Sequence, residues 1–331
     1  MVMKDKVVVL GSNSFSGAHF IDFLLGEGVE TVGISRSAEP NDVFLPYKKQ
    51  KSPLFKFYRL DLNDQLDGIM KIIENFRPEY VVNFAAQGMV AESWQHPEHW
   101  FQTNTVANVK LHDRLRKCDF LRKYVHVSTP EVYGTCQGLV QENTNYCPST
   151  PYAVSRAAAD LSLMTFLKNY NFPVVFTRSA NVYGPGQQLY RIIPRTILYI
   201  LLGKKLPLHG GGHSVRSFIH IRDVAQGTWA VTRDAKPGEI FHFSTARNIS
   251  IRDVVQLIAG KMGGRFEDCV DIVNDRPGKD AAYLLDNKKA KTVLGWQDRI
   301  SLEEGIDETI KWVRDNLEIL KQQADHYIHK P

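Results

Sequence analysis

Short apolar runs alternate with helical stretches through the first part of the chain, and this alternation constrains the fold more than any single motif. Residues 6–10, Lys-Val-Val-Val-Leu, are apolar and end at Gly11; from 18 to 26, Phe20, Ile21, Leu24 and Leu25 recur at helical spacing. Further strands are expected at 29–34, 57–60, 80–84, 124–127 and 173–176, with helical segments between most of them and an alanine-rich helix at 152–169. Strands that alternate with helices are joined by crossovers into a parallel sheet with helices on its faces. The expected fold class is therefore α/β, a Rossmann-like doubly wound parallel sheet over residues 1–180.

A chain of 331 residues is too long for one minimal core. Beyond Pro185 the pattern loosens, with Gly203, Gly210-Gly211-Gly212, Pro237-Gly238 and Pro277-Gly278 punctuating shorter elements. Residues 181–331 are read as a smaller, mixed α/β substrate-binding lobe, with a segment at about 216–245 returning to the first domain. A helix is expected at 301–323, opened by a capping box in Ser301-Leu302-Glu303-Glu304. The net charge of +5 is spread without a basic run or interleaved aromatics, which argues against nucleic acid as a partner. No apolar run reaches the roughly 18 residues of a membrane span, and the N-terminus leads into a strand instead of a signal-peptide core. A cytoplasmic protein with no membrane partner is expected. Cys118, Cys136, Cys147 and Cys269 form no Cys-x-x-Cys pair and read as reduced thiols. No metal site is expected, and Trp94, His96, His99 and Trp100 read as a helix surface.

Gly11-Ser12-Asn13-Ser14-Phe15-Ser16-Gly17 lies between the first strand and the first helix, where backbone amides and a helix N-terminus can hold a pyrophosphate. Ser14 stands where such loops usually carry an internal glycine, and an ordinary glycine turn accounts for the same residues. After the second strand, Ser35-Arg36-Ser37 offers a guanidinium and two hydroxyls suited to a 2′-phosphate; a carboxylate there would suit the ribose hydroxyls of NAD. NADP is therefore favoured over NAD, with Asp61 and Leu62 at the adenine end.

Further along, Ser128-Thr129-Pro130-Glu131-Val132-Tyr133-Gly134 and Tyr152-Ala153-Val154-Ser155-Arg156 supply hydroxyls, a carboxylate, and a phenol with a cation one helical turn later. The chain also carries Asn83-Phe84-Ala85-Ala86-Gln87, Thr103-Asn104, Asn181-Val182-Tyr183-Gly184-Pro185, Arg216-Ser217-Phe218-Ile219-His220, Asp275-Arg276-Pro277-Gly278 and Leu294-Gly295-Trp296. In this set it resembles an extended short-chain dehydrogenase/reductase of the sugar-nucleotide epimerase/dehydratase group. The Thr-x-Glu-Val-Tyr-Gly form and the Asp-Arg-Pro-Gly stretch are similar to dTDP-glucose 4,6-dehydratases. The Ala-Ala-Gln and Ser-Arg-Ser features lean toward GDP-mannose and CDP-glucose dehydratases.

The resemblance implies roles. Tyr152 would take the proton of a sugar C4 hydroxyl, and Arg156, where the family carries lysine, would lower the phenol from its usual pKa of about 10. Thr129 would bond the C4 oxygen, and Glu131 would take the C5 proton made acidic by the C4 ketone. In dTDP-glucose dehydratases the position of Pro130 is an aspartate that protonates the leaving C6 hydroxyl; here the acid has to be Glu131, a water or another group. Dinucleotide contacts are implied at Gly11, Ser14, Phe15, Ser16, Gly17, Ser35, Arg36, Ser37, Asp61, Leu62, Ala85, Ala86, Gln87, Asn104, Tyr152 and Arg156. Contacts to a nucleotide-diphosphate hexose are implied at Gln87, Ser128, Asn181, Arg216 and Arg276, and a homodimer follows from the same resemblance.

The leading expectation is a nucleotide-sugar 4,6-dehydratase, which oxidises C4, loses water across C5 and C6, and returns hydride to C6. A 5,6-dehydratase, a 4-epimerase and a C4 oxidase share its first step, although an epimerase has no use for a C5 base at Glu131. Outside enzymes, the alternative is a nucleotide-sugar-binding protein with a site weakened at Arg156.

Overall fold

The structure, a computed structural model, describes residues 5–136, 138–274 and 284–330. Its largest sheet contains β1 (Lys6–Leu10), β2 (Glu30–Ser35), β3 (Phe55–Arg59), β4 (Tyr80–Asn83) and β5 (Lys123–Val127), together with Val174–Ser179 and Ile240–Phe243. These seven strands lie in the order Ile240–Phe243, Val174–Ser179, β5, β4, β1, β2, β3, and every pairing is parallel. In β1 the run Val7–Leu10 is unbrokenly apolar because both faces are covered. Val7 and Val9 pack with Phe20, Ile21 and Leu24 of α1 (Phe15–Gly26), whereas Val8 and Leu10 face the other way, onto Ile69, Met70 and Ile73 of the helix Leu66–Phe76. Chain order runs outward from β1 in both directions, which leaves a crevice beyond the carboxyl ends of β1 and β4.

Ile240–Phe243 joins this sheet from far along the sequence, aligning Ile240 with Phe176 and Phe243 with Ser179. The helix before it, Ile221–Asp234, lies against α1. A second core surrounds Ile193, Ile197, Val254, Ile306 and Val313, contributed by the helices Ile192–Leu201, Ile251–Lys261 and Leu302–Asp315. Beside it lies a three-stranded sheet of Asn248–Ser250, Val215–His220 and Asn181–Tyr183.

The capping box at Ser301 and Glu304 forms, but the helix expected at 301–323 is interrupted. Asn316 turns its side-chain amide onto the Trp312 carbonyl at 2.8 Å, competing with the backbone, and only the short turn Leu317–Leu320 follows. All four cysteines are free thiols. Among the described residues, no helix is long and apolar enough to cross a membrane.

Candidate functional site

Two adjoining cavities open at the carboxyl ends of the strands. The smaller, about 320 Å³, is lined by Gly11, Asn13, Ser14, Ser35, Arg36, Ser37, Asp61, Leu62, Ala85 and Ala86. The larger, about 700 Å³, is lined by Ser14, Phe15, Ser16, Gln87, Ser128, Thr129, Glu131, Tyr152, Arg156 and Asn181, among others. Ser14, Arg36, Phe84, Ala86 and Lys330 line both.

The wall of the smaller cavity is built by close packing of backbone. Gly11 has φ +75°, and a Cβ there would fall 2.6 Å from the Ala85 amide nitrogen; a Cβ on Gly17 would fall 2.3 Å from the Gly11 carbonyl oxygen. Ser14 caps α1: its hydroxyl accepts from the Gly17 amide at 3.0 Å and donates to the Gly11 carbonyl at 2.7 Å. The serine in place of glycine thus serves the turn. Asn13 Oδ1 is buried with no hydrogen-bond partner among the described residues, while its amide nitrogen donates to the Ser37 carbonyl at 2.9 Å. A bare backbone at a helix N-terminus, a buried acceptor and the Arg36 guanidinium on the rim fit a dinucleotide. Ser35 Oγ accepts from the Asn13 amide at 3.0 Å, and Asp61 accepts from the Asn63 amide at 2.8 Å.

In the larger cavity, Thr129 N-caps the short turn Pro130–Tyr133, and its hydroxyl hydrogen-bonds the Tyr152 phenol. Proline is compatible with the first position of that turn, so it sets Glu131 beside the phenol without contributing a proton. Burial and the Glu131 charge raise the Tyr152 pKa, opposed by Arg156, the Thr129 hydrogen bond and Arg191. The net direction is upward, so the phenol carries its proton in this state.

Tyr152, Arg156 and Asp160 stand on successive turns of the helix Pro151–Tyr170. Arg156 is buried and donates to the Val127 carbonyl, and its guanidinium lies 3.3 Å from His126 Nε2. The same nitrogen is 3.3 Å from Asp160. Burial, reinforced by Arg156 and Arg178, pushes His126 well below its ordinary pKa and keeps it neutral. Asp160 accepts from Ser128 Oγ at 2.7 Å and from Arg178 at 2.8 Å, and Arg178 also donates to the Tyr133 and Tyr146 hydroxyls. A sealed ionic network therefore underlies the cleft floor.

Not every residue expected at the site lies in it. Asn104 is buried in a π-helical turn, Gln102–Ala107, and lines neither cavity. Its side chain instead clamps both backbone groups of Gln87, at 2.7 and 3.0 Å, and donates to Ser155 Oγ. Arg216 lies on the strand Val215–His220 and lines neither cavity, its guanidinium donating to the Val215 carbonyl at 2.8 Å. Arg276 and the rest of the Asp-Arg-Pro-Gly stretch lie outside the described residues. Gln187, Tyr190 and Arg191, which no sequence motif marks, also line the larger cavity. A cation just before the apolar run 192–193 was the available signal.

The model of the family described as GDP-mannose 4,6 dehydratase matches residues 8–309. The dTDP-glucose 4,6-dehydratase of Streptomyces antibioticus is 32% identical, over 94% of this chain and 93% of its own length. Among solved structures, DesIV, the dTDP-glucose 4,6-dehydratase of Streptomyces venezuelae crystallised with NAD bound, superposes with a TM-score of 0.88 at 28% identity, covering 95% of this chain and 98% of its own. A UDP-glucose 4-epimerase of Thermotoga maritima, solved with UDP-glucose, reaches 0.85 at 26% identity over 94% and 99%. The scaffold is thus shared by dehydratases and epimerases, and side chains at the cleft decide between them. With most of its length matched by the family model, the chain belongs to the GDP-mannose 4,6 dehydratase family.

Proposed function

We propose that this chain is a nucleotide-sugar 4,6-dehydratase that uses NAD or NADP. The observation that carries the reading is Glu131, a carboxylate on the wall of the same cavity as the Thr129 and Tyr152 hydroxyls, where an enzyme working at C4 alone needs no base. The dinucleotide, when bound, supplies a cationic nicotinamide that accepts a hydride from C4, returns it to C6, and favours the Tyr152 phenolate. Gly11, Ser14 and the α1 N-terminus would hold its pyrophosphate, and Ser35, Arg36, Ser37 and Asp61 its adenosine end.

Tyr152 then takes the C4 hydroxyl proton, with Thr129 holding the C4 oxygen as alcohol and as ketone. The ketone acidifies C5, and Glu131 takes the C5 proton. Pro130 has no proton to give, so Glu131 passes the proton it has taken to the departing C6 hydroxyl, which leaves as water. The C5 hydrogen of the product is then drawn from solvent. Asn181 and Arg191 support placement of the substrate on the far side of this cavity, Arg191 as a cation suited to a diphosphate.

Incubating the protein with UDP-, GDP-, CDP- and dTDP-hexoses and either dinucleotide tests this reading by mass spectrometry. One donor is expected to lose one water, and product formed in deuterium oxide is expected to carry deuterium at C5. A change of configuration with no mass change would instead identify an epimerase. NADP is the favoured dinucleotide: the Lys330 ammonium donates to Ser37 Oγ at 3.0 Å and joins Arg36 on a rim suited to a 2′-phosphate. Tighter binding of NAD in the same series would remove that preference.

Arg156 is assigned to keeping the phenol's surroundings positive while anchored to β5. One guanidinium nitrogen of Arg156 reaches both the Val127 carbonyl and His126 Nε2, and a lysine, with a stem one atom shorter, would hold its ammonium short of that position. Arg156→Lys is expected to lower kcat about tenfold, the size of one charge-assisted hydrogen bond. A rise in turnover would mean that the arginine weakens the site.

A further inference from the structure

Beyond the second core, the chain crosses the mouth of both cavities. Asp325 accepts from the Tyr199 hydroxyl at 3.0 Å, and Tyr327 packs edge-on against Tyr190 with ring centroids 5.8 Å apart. His329 lies flat on Trp100, at 5.0 Å between centroids and 4° between planes, and its Nε2 is 2.8 Å from His99 Nδ1. Trp100 is a fixed platform, fully buried and donating to the Gly88 carbonyl at 2.9 Å. Lys330 completes the crossing: its carbonyl accepts from Arg36 and Gln87, and its ammonium donates to Ser37.

We propose that residues 324–330 form a strap that closes over bound dinucleotide and retains it through successive turnovers. The proposal rests on the dinucleotide reading given above. The hydrogen bonds of Lys330 go to Arg36, Ser37 and Gln87, and Lys330 lines both cavities while leaving volumes of about 320 and 700 Å³ open. That geometry is a cover and not a filling. The chemistry agrees with it: a hydride taken at C4 and returned at C6 leaves the dinucleotide as it entered, so no step requires its exchange. In an enzyme that must discharge reduced dinucleotide every cycle, such a closure would slow product release. Here it costs no turnover and keeps water from the cleft.

The test is the rate of dinucleotide release from the loaded protein, measured by dilution into excess competing nucleotide. It is run on the full chain, on His329→Ala, and on a chain ending at Gln323, with circular dichroism reporting that each is folded. Release is expected to be about tenfold faster from both variants, since altered contacts at a preformed site act mainly on dissociation. Unchanged or slower release would overturn the strap. Faster association with tighter net binding in the shortened chain would also overturn it, because the segment would then be a plug. Failure of the full chain to bind either dinucleotide would overturn the dinucleotide reading and the strap together.

Discussion

Glu131→Gln is expected to lower water loss about 10⁴-fold, the upper end of what one general acid–base group contributes. The effect belongs at that end because one side chain serves twice. In the proposed mechanism Pro130 offers no acid, so the proton leaving C5 and the proton reaching the C6 oxygen would both pass through Glu131. The amide keeps the shape of the carboxylate and takes no proton. Mass spectrometry of product formed in deuterium oxide checks this, because elimination and deuterium uptake at C5 should disappear together. Persistence of both would assign the base to another group in the cleft.

Asp160→Asn is expected to cost about 3–5 kcal/mol of folding stability, read from urea or thermal unfolding. Asp160 and Arg178 are fully buried with side-chain atoms 2.8 Å apart. Removing one charge leaves the other with no compensation in a dry interior. Arg178 cannot escape by losing its charge, because a guanidinium stays protonated even when buried. Asp67, bonded to Arg114 at 2.7 Å on the surface, supplies the comparison: Asp67→Asn should leave the midpoint almost unmoved. Equal shifts in the two variants would mean that the buried pair is not what holds the cleft floor.

The sheet was legible because a strand covered on both faces is mostly apolar, so β1 appears as Val7, Val8, Val9 and Leu10 without interruption. Thr129, Glu131 and Tyr152 were legible because they sit in short local motifs beside the cleft. Asn104 is expected at the dinucleotide by resemblance, but its residue type suits two tasks, and in the structure it clamps the Gln87 backbone. Arg216 is expected at a phosphate by resemblance, and the structure places it on the strand Val215–His220, lining neither cavity. Asp160 could have been found, since eight residues beyond Tyr152 is the same helix face. The crossing at Tyr327, His329 and Lys330 had no sequence signal: it has no periodicity, and its partners Tyr190, Trp100 and Arg36 are remote in the chain.

The late arrival of Ile240–Phe243 has a consequence for biosynthesis. Until that segment emerges from the ribosome, Val174–Ser179 is an edge strand, with the fully buried Val174, Val175 and Phe176 lacking part of their cover. An unpaired apolar edge is a template for pairing with another nascent chain. Between the synthesis of Ser179 and Phe243 this edge stays unpaired, and a chain truncated in that interval is expected to aggregate more readily than the full chain.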